Sequence, residues 1–194
     1  MRQWVWGGLL LLVGSGFVAS DVSAQRKDDW LTGIYLGYTA SVEKDAPGGD
    51  IGGLFYGTYF LHDVISLGGE IDMFRLGSQD IDDTVLGKAT ISQHIFALTG
   101  DVRVTGSGKI KPFANLGAGP YWVTTSGSSL EGFVGATGTN TRFGFNLGGG
   151  LIFGGVSNKW SFGLDARWHQ IVKGAVDESA LDMVSVLVGF NVRE

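Results

Sequence analysis

Seven charged side chains fall in the middle of segments that alternate between apolar and polar residues. They are four acids and three arginines: Glu70, Asp72, Asp101, Arg103, Arg142, Asp165 and Arg167. Carboxylates taken out of water need cationic or hydrogen-bonding partners, so we predict that these groups pair with one another. Two roles are open for such a charge network. It could line an ion path gated by salt bridges, or it could fill and rigidify an enclosed space.

The other groupings of potential ligands carry less specific signals. Asp80, Asp82 and Asp83 offer carboxylates that suit hard cations such as Ca²⁺, but their spacing matches no dedicated binding loop, which favours a solvated acidic loop. The segment Gly106-Ser107-Gly108-Lys109 lacks the first glycine and the following helix of a phosphate-binding loop, so it is predicted to be a turn. We therefore predict no metal site, no cofactor and no catalytic residue.

Composition narrows the class of protein. The 194 residues are enough for one domain. A net charge of −5 argues against nucleic-acid binding, which requires clustered lysine and arginine. There is no cysteine, hence no disulfide and no thiolate metal site.

The N-terminal segment is predicted to be a cleaved signal peptide. Arg2 precedes an apolar run from Trp4 to Val18, and Val22-Ser23-Ala24 places small residues where signal peptidase cuts. The apolar run is rather short for the ~20 residues of a spanning helix. We therefore predict a signal peptide over residues 1–24 and one domain over residues 25–194.

Alternation with a period of two, the signature of β-strands, runs through the rest of the chain. It is clearest at the C-terminal end, where one face carries Val184, Val186, Val188, Phe190 and Val192. Similar patterns predict eight strands, near residues 34–43, 51–61, 65–76, 89–104, 110–124, 142–153, 160–169 and 184–193. The connections after the first alternate short and long, as the periplasmic turns and outer loops of outer-membrane barrels do. The predicted fold is all-β: an eight-stranded antiparallel up-and-down transmembrane β-barrel.

Aromatic residues near the strand ends favour a barrel whose apolar face points outward at lipid. Trp160 and Trp168 sit eight residues apart on one face, roughly 20 Å of height for a tilted strand. We predict an interfacial aromatic girdle of Trp30, Phe74, Trp122, Phe143, Trp160, Trp168 and Phe190. The opposite faces would line a narrow interior that side chains must fill, which favours the plug over the ion path for the charge network.

Four segments carry a resemblance to a known family. They are Ile110–Tyr121 (IKPFANLGAGPY), Phe145–Gly150 (FNLGGG), Gly163–Trp168 (GLDARW) and Val186–Phe190 (VLVGF). In these the chain resembles the outer-membrane β-barrel domain of the OmpA/OmpX-type small barrels and related "porin family" proteins of Gram-negative bacteria. The resemblance covers nearly all of residues 30–193 and implies the fold and an outer-membrane location. Members of the family commonly end on an aromatic residue. This chain departs from that pattern, because its last residue is Glu194 and the nearest aromatic residue is Phe190.

Four functional hypotheses follow. The first is a structural or interaction protein of the outer membrane that contacts lipid, lipopolysaccharide and the assembly machinery. The second is a narrow channel for ions or small solutes. The third is a lipid A-modifying enzyme; it is disfavoured because His169 is followed by Gln170-Ile171-Val172, not by the nucleophilic serine of lipid A deacylases. The fourth is a soluble periplasmic barrel that binds an apolar ligand. No oligomeric state is predicted.

Overall fold

Eight strands form a single closed, all-antiparallel barrel in the computed structural model of the chain, which confirms the predicted fold. The structure describes residues 28–42, 48–83, 87–129, 137–154, 159–172 and 180–194. The strands are β1 (Trp30–Ser41), β2 (Gly49–His62), β3 (Ile65–Asp83), β4 (Gly87–Thr105), β5 (Ile110–Ser129), β6 (Thr137–Phe153), β7 (Trp160–Ile171) and β8 (Leu181–Arg193). Each strand pairs with its neighbours in sequence, and β8 closes the sheet against β1.

The stagger of the strands sets the width of the barrel. Paired residues lead from Leu31 through Thr58, Gly68, Asp101, Gly117, Asn146, His169 and Met183 to Ser41, ten residues beyond the start on β1. For eight strands, a stagger of ten residues corresponds to a strand tilt of about 40° and a Cα radius of about 8 Å. Side chains alone fill an interior of that width.

The two faces of the sheet divide as the alternation predicts. On β8, Val186 and Val188 are each 58% exposed on the outer surface, whereas Ser185 and Leu187 are fully buried inside. Since a shift of one residue would exchange the two faces, this pairing fixes which side chains enter the barrel. The outer surface is apolar, and most of the buried charged groups lie within the barrel.

The two ends of the barrel differ in their connections. Short turns at 63–64 and 106–109 mark one end, here called the turn end. The opposite end, where β1, β3, β5 and β7 end, is here called the loop end. The connections at 43–47, 84–86, 130–136 and 173–179 lie outside the described residues, as does the predicted signal peptide. Among the described residues, no helix is long and apolar enough to cross a membrane.

Three strands extend well beyond their predicted ends. The segments 77–88 and 125–139 are predicted to be loops, but β3 continues to Asp83, β4 begins at Gly87, β5 runs to Ser129 and β6 begins at Thr137. The pairing of β3 with β4 shifts register between Leu76 and Gln79, which breaks the alternation where the strand was predicted to end. The extension of β5 consists of serine, threonine and glycine, so it carries no apolar period. Asp80, Asp82 and Asp83 therefore belong to β3 and not to a loop.

The predicted placement of Phe74 in the outer girdle is wrong. Its side chain lies inside the barrel and is 3% exposed. Phe74 is separated from Glu70 and Asp72 by an even number of residues on β3, so all three side chains point to the same face, and Glu70 and Asp72 are also inside. Phe74 was assigned to the girdle because it lies near a predicted strand end. The alternation of side chains along the strand, however, determines whether a residue points inward or outward.

The close approach of strands around Gly150 yields a test of the register. A Cβ built at Gly150 would lie 1.8 Å from the carbonyl oxygen of Leu164, whereas a Cβ built at Gly69 would lie 3.5 Å from its nearest neighbour, the Thr99 carbonyl oxygen. We expect Gly150→Ala to lower the free energy of unfolding by about 1–3 kcal/mol, because backbone must move. The matched Gly69→Ala should change it by less than about 1 kcal/mol.

The measurement is the urea midpoint of the refolded chain, followed by tryptophan fluorescence. Equal midpoints for the two alanine variants would contradict the register of β6 against β7.

Candidate functional site

The interior of the barrel is built in layers, with polar groups between two apolar clusters. Toward the loop end lies a cluster of Phe74, Leu76, Ile95, Ala97, Tyr121, Val123, Ile171, Leu181 and Met183. Toward the turn end lies a second one, formed by Leu31, Tyr35, Leu54, Tyr56, Phe60, Phe113, Ile152 and Leu187. The charged residues that the sequence singled out lie mainly between these clusters, so the interior charge is covered by apolar side chains on both sides.

Arg167 is the centre of the polar layer. Its Nε and Nη2 atoms donate to the two carboxylate oxygens of Asp165, each over 2.8 Å, and its Nη1 donates to Glu70 from β3. The side chains of Arg167, Glu70 and Asp165 have no exposed surface. The planar guanidinium suits such a bidentate contact, and Arg167 thereby ties β7 to β3 across the interior.

Glu70 is satisfied on its second oxygen as well. Its Oε1 accepts from the Thr99 hydroxyl over 3.0 Å and from the Asn146 amide over 2.5 Å. The Asn146 carbonyl oxygen in turn accepts from Asn115 over 3.4 Å. The neutral partners from β4, β5 and β6 were not identified from the sequence, although each has the inward parity of its strand.

Arg103 is not joined to the Arg167 network by a hydrogen bond. Its guanidinium carbon lies 3.9 Å from the ring centroid of Tyr56 and 4.7 Å from that of Phe113, a cation–π arrangement. The carboxylates of Asp72 and Asp101 are buried, and among the described residues neither they nor the Arg103 guanidinium has a hydrogen-bond partner.

Arg142 stands apart from the other six predicted charges. It is half-buried and pairs with Tyr121 near the loop end of β6. The structure therefore joins Glu70, Asp165 and Arg167 directly, places Asp72, Asp101 and Arg103 in the same interior, and leaves Arg142 nearer the loop end.

A buried contact between His169 and Ser185 was not predicted from the sequence. The His169 Nε2 lies 3.4 Å from the Ser185 Oγ, and its Nδ1 lies 3.2 Å from the Tyr121 hydroxyl. The serine comes from the neighbouring strand β8, so a search of the residues that follow His169 could not find it; the pairing of His169 with Met183 places it there. Both side chains are fully buried, and the Phe74 ring packs on the imidazole at 4.8 Å. This geometry suits an interior hydrogen-bonding group and gives a substrate no approach.

A second polar contact lies within the turn-end cluster. The hydroxyls of Tyr35 and Tyr56 both donate to the Asn191 carbonyl oxygen, over 2.9 and 2.5 Å, and the Asn191 amide donates to Ser161 over 3.3 Å. No group of three or more metal-ligating side chains occurs in the part of the chain that the structure describes. The hydrogen bonds inside the barrel therefore connect side chains of different strands and stabilise their packing.

Six predicted girdle aromatics lie on the outer surface in two bands. Trp30, Trp160 and Phe190 lie toward the turn end, and Trp122, Phe143 and Trp168 lie toward the loop end. Ring contacts link several of them to neighbouring strands, as between Phe162 and Phe190 with centroids 4.5 Å apart.

Solved structures of small outer-membrane barrels are similar to this chain. OprG of Pseudomonas aeruginosa superposes with a TM-score of 0.57 at 13% identity, covering 90% of this chain and 99% of that one. Ail, the attachment invasion locus protein of Yersinia pestis, gives 0.56 at 14% identity, covering 87% and 100%. Neisserial surface protein A gives 0.56 at 11% identity, covering 84% and 96%. The chain has the fold of outer-membrane β-barrel proteins. No family model and no curated protein matches the sequence.

Removal of the central guanidinium tests what the polar layer contributes to stability. We expect Arg167→Met to lower the free energy of unfolding by about 3–5 kcal/mol, because it leaves the buried carboxylates of Glu70 and Asp165 without their cation. The matched control is Arg75→Met, whose side chain is 56% exposed beside Asp50, and it should cost less than about 1 kcal/mol.

Urea midpoints of the two variants, compared with the unaltered chain, make the measurement. An Arg167→Met midpoint equal to that of Arg75→Met would show that the buried pairs do not hold the strands together.

Proposed function

We propose that this protein is an integral outer-membrane β-barrel with a structural or interaction role and a filled interior. The observation that carries the proposal is the inverted burial of side chains. Charged residues such as Arg167 are fully buried inside, while large apolar residues such as Trp160, at 65% exposed, cover the outside. In water, a fold with charged residues outside and apolar residues inside is the stable one. In a bilayer, a barrel with apolar residues outside and polar residues inside is the stable one.

The outer apolar surface is too extensive for a protein surrounded by water. Soluble monomers rarely expose contiguous apolar patches of more than a few hundred Å². Here every strand presents large apolar residues outward, among them Ile34, Phe55, Met73, Leu98, Leu116, Phe145, Phe162 and Val188. Bands of aromatic residues at both ends match the girdles of membrane barrels. This pattern argues against a soluble barrel that binds an apolar ligand inside, since such a barrel points its apolar face inward.

A filled interior favours a structural role over conduction. The Arg167 and Glu70 side chains have no exposed surface, so no water molecule fits beside either. Apolar clusters cover the polar layer toward both ends. The buried His169–Ser185 contact likewise supports a non-catalytic role.

The two ends of the barrel support one orientation in the membrane. The start of β1, the end of β8 and the short turns share the turn end, which would face the periplasm, and the loop end would face outward toward lipopolysaccharide and partners. The predicted signal peptide would direct export of the chain to the periplasm, where the assembly machinery would insert it into the outer membrane. The Glu194 amide donates to the Trp30 carbonyl oxygen over 3.0 Å, and the Trp30 amide donates back over 3.2 Å, so the last residue completes the β1–β8 seam.

A narrow channel is the second candidate. It is favoured by one observation: the buried carboxylates of Asp72 and Asp101 and the Arg103 guanidinium have no hydrogen-bond partners in the described part of the chain. These groups could exchange partners with the Arg167 network and open a polar path.

Membrane insertion without conduction is the expected result. Detergent-extracted mature protein should migrate differently on gels with and without heating, and fractionation should place it in the outer membrane. In planar bilayers the inserted protein should give no steady single-channel steps, because Arg167 and Glu70 fill the mid-barrel.

Each half of the proposal has its own contrary result. Mature protein in the soluble periplasm would refute the membrane assignment. Steady conductance steps from inserted protein would refute the filled interior and favour the channel.

A further inference from the structure

A groove on the outer surface at the loop end combines apolar side chains with side chains that donate hydrogen bonds. The groove, here called the rim groove, is lined on the outside by Ile51, Met73, Arg75, His94, Phe96, Trp122 and Thr124. These seven residues come from four consecutive strands, β2 to β5.

Strand register sorts the lining into two rows. Arg75 pairs with His94, which pairs with Thr124, and these form the polar row nearer the loop end. Two residues below, Met73 pairs with Phe96, which pairs with Trp122. The Phe96 and Trp122 rings are in contact, with centroids 5.3 Å apart. The loop-end edge of the apolar surface is therefore followed directly by the polar row.

The polar row presents donors to a ligand. Asp50 on β2 is anchored by the Ile51 amide, which donates to its Oδ1 over 2.7 Å, and its Oδ2 lies 3.3 Å from the Arg75 Nε. This ion pair uses only the Nε, so the two terminal amino groups of the guanidinium still carry donors. The neighbouring His94 side chain is exposed, and an imidazole carries an N–H donor in either protonation state.

An apolar groove continues from the rim groove toward the middle of the barrel. It is lined by residues of β1, β2 and β3, including Leu36, Gly53, Phe55 and Ile71, and it shares Ile51 and Met73 with the rim groove. Its walls are almost wholly apolar. The two grooves together match an amphiphile with an anionic head and an apolar chain.

We propose that the rim groove binds a phosphorylated glycolipid of the outer leaflet. Its phosphate lies against Arg75 and His94, and an acyl chain runs past Met73 into the apolar groove. A phosphate accepts hydrogen bonds from a guanidinium in the paired geometry that carboxylates also use, and Trp122 and Phe96 sit at the depth where aromatic rings meet the headgroups. The site rests on the proposed membrane location, because only then does the loop end face the outer leaflet.

Native mass spectrometry of the mature protein in a neutral detergent tests the site, with lipid A and dephosphorylated lipid A as the two probes. The test variant is Arg75→Gln/His94→Gln. The matched control is Lys109→Gln/Lys159→Gln, which removes two exposed cationic groups at the turn end. Heat-modifiable gel mobility checks that each variant is folded.

The unaltered protein should bind lipid A more tightly than the dephosphorylated form. The Arg75→Gln/His94→Gln variant should lose about five- to thirty-fold in lipid A affinity, since a basic residue at a lipid surface contributes about 1 kcal/mol. The lysine control should bind as the unaltered protein does.

Three results would overturn the site: equal binding of both lipids, unchanged binding by the Arg75→Gln/His94→Gln variant, or an equal loss in the lysine control. A dimer that excludes lipid A from the groove would do so too, because a second copy would then be the occupant. Quenching of tryptophan fluorescence by brominated phosphatidylcholine separates this failure from that of the proposed function. Quenching without phosphate preference rejects the site alone, whereas no quenching by lipid rejects the membrane location.

Discussion

The hydrogen-bond ladder between β1 and β8 is the constraint on which the rest of the structure depends. A sheet surrounded by hydrocarbon has no water to satisfy the amides and carbonyls of an open edge, so it must close on itself. Eleven consecutive residue pairs, from Leu31–Arg193 to Ser41–Met183, form that closure. Closing eight strands with a stagger of ten residues then fixes the interior to a width that side chains fill. The character of those inward side chains decides what the barrel can do.

The interior of the barrel holds buried charges of both signs. Four acids, Glu70, Asp72, Asp101 and Asp165, are buried with two arginines, Arg103 and Arg167. Arg167 holds two of the carboxylates, while Arg103 rests on the rings of Tyr56 and Phe113. Buried ion pairs seldom make a fold more stable than apolar packing would. Removing one partner is nevertheless strongly destabilising, because the other charge is left buried without a counter-charge. The network therefore favours one arrangement of opposite strands, β3 and β7, over others of similar packing.

Much of the fold was predictable because a strand with one buried face must alternate. On β8 the period of two correctly separated Val186 and Val188 from Ser185. The same rule would have placed Phe74 inside with Glu70 and Asp72, had it been preferred to the position of Phe74 near a strand end. The extensions of β3 and β5 were not predictable from periodicity, because a register shift interrupts one and serine, threonine and glycine compose the other.

Contacts across the barrel were harder to predict than the faces. Parity indicates that Glu70 and Arg167 share the interior, but not that they meet, since that depends on the stagger around the whole circumference. The His169–Ser185 contact depends on the register of β7 against β8 in the same way. The polar row of the rim groove likewise becomes visible only when Arg75 and His94 are aligned across two strands.

The most direct test of the central claim is a spin-label scan of β8 in the protein reconstituted into bilayers. The chain has no cysteine, so each introduced cysteine carries the only label, at Val184, Val186, Val188 or Phe190 in turn. The account predicts that collisions with oxygen, which dissolves in the bilayer, exceed those with a water-soluble nickel chelate at all four positions. It also predicts that this excess is greatest at Val186 and Val188, in the middle of the strand. Greater accessibility to the nickel chelate at Val186 and Val188 would contradict the assignment of the apolar face to lipid.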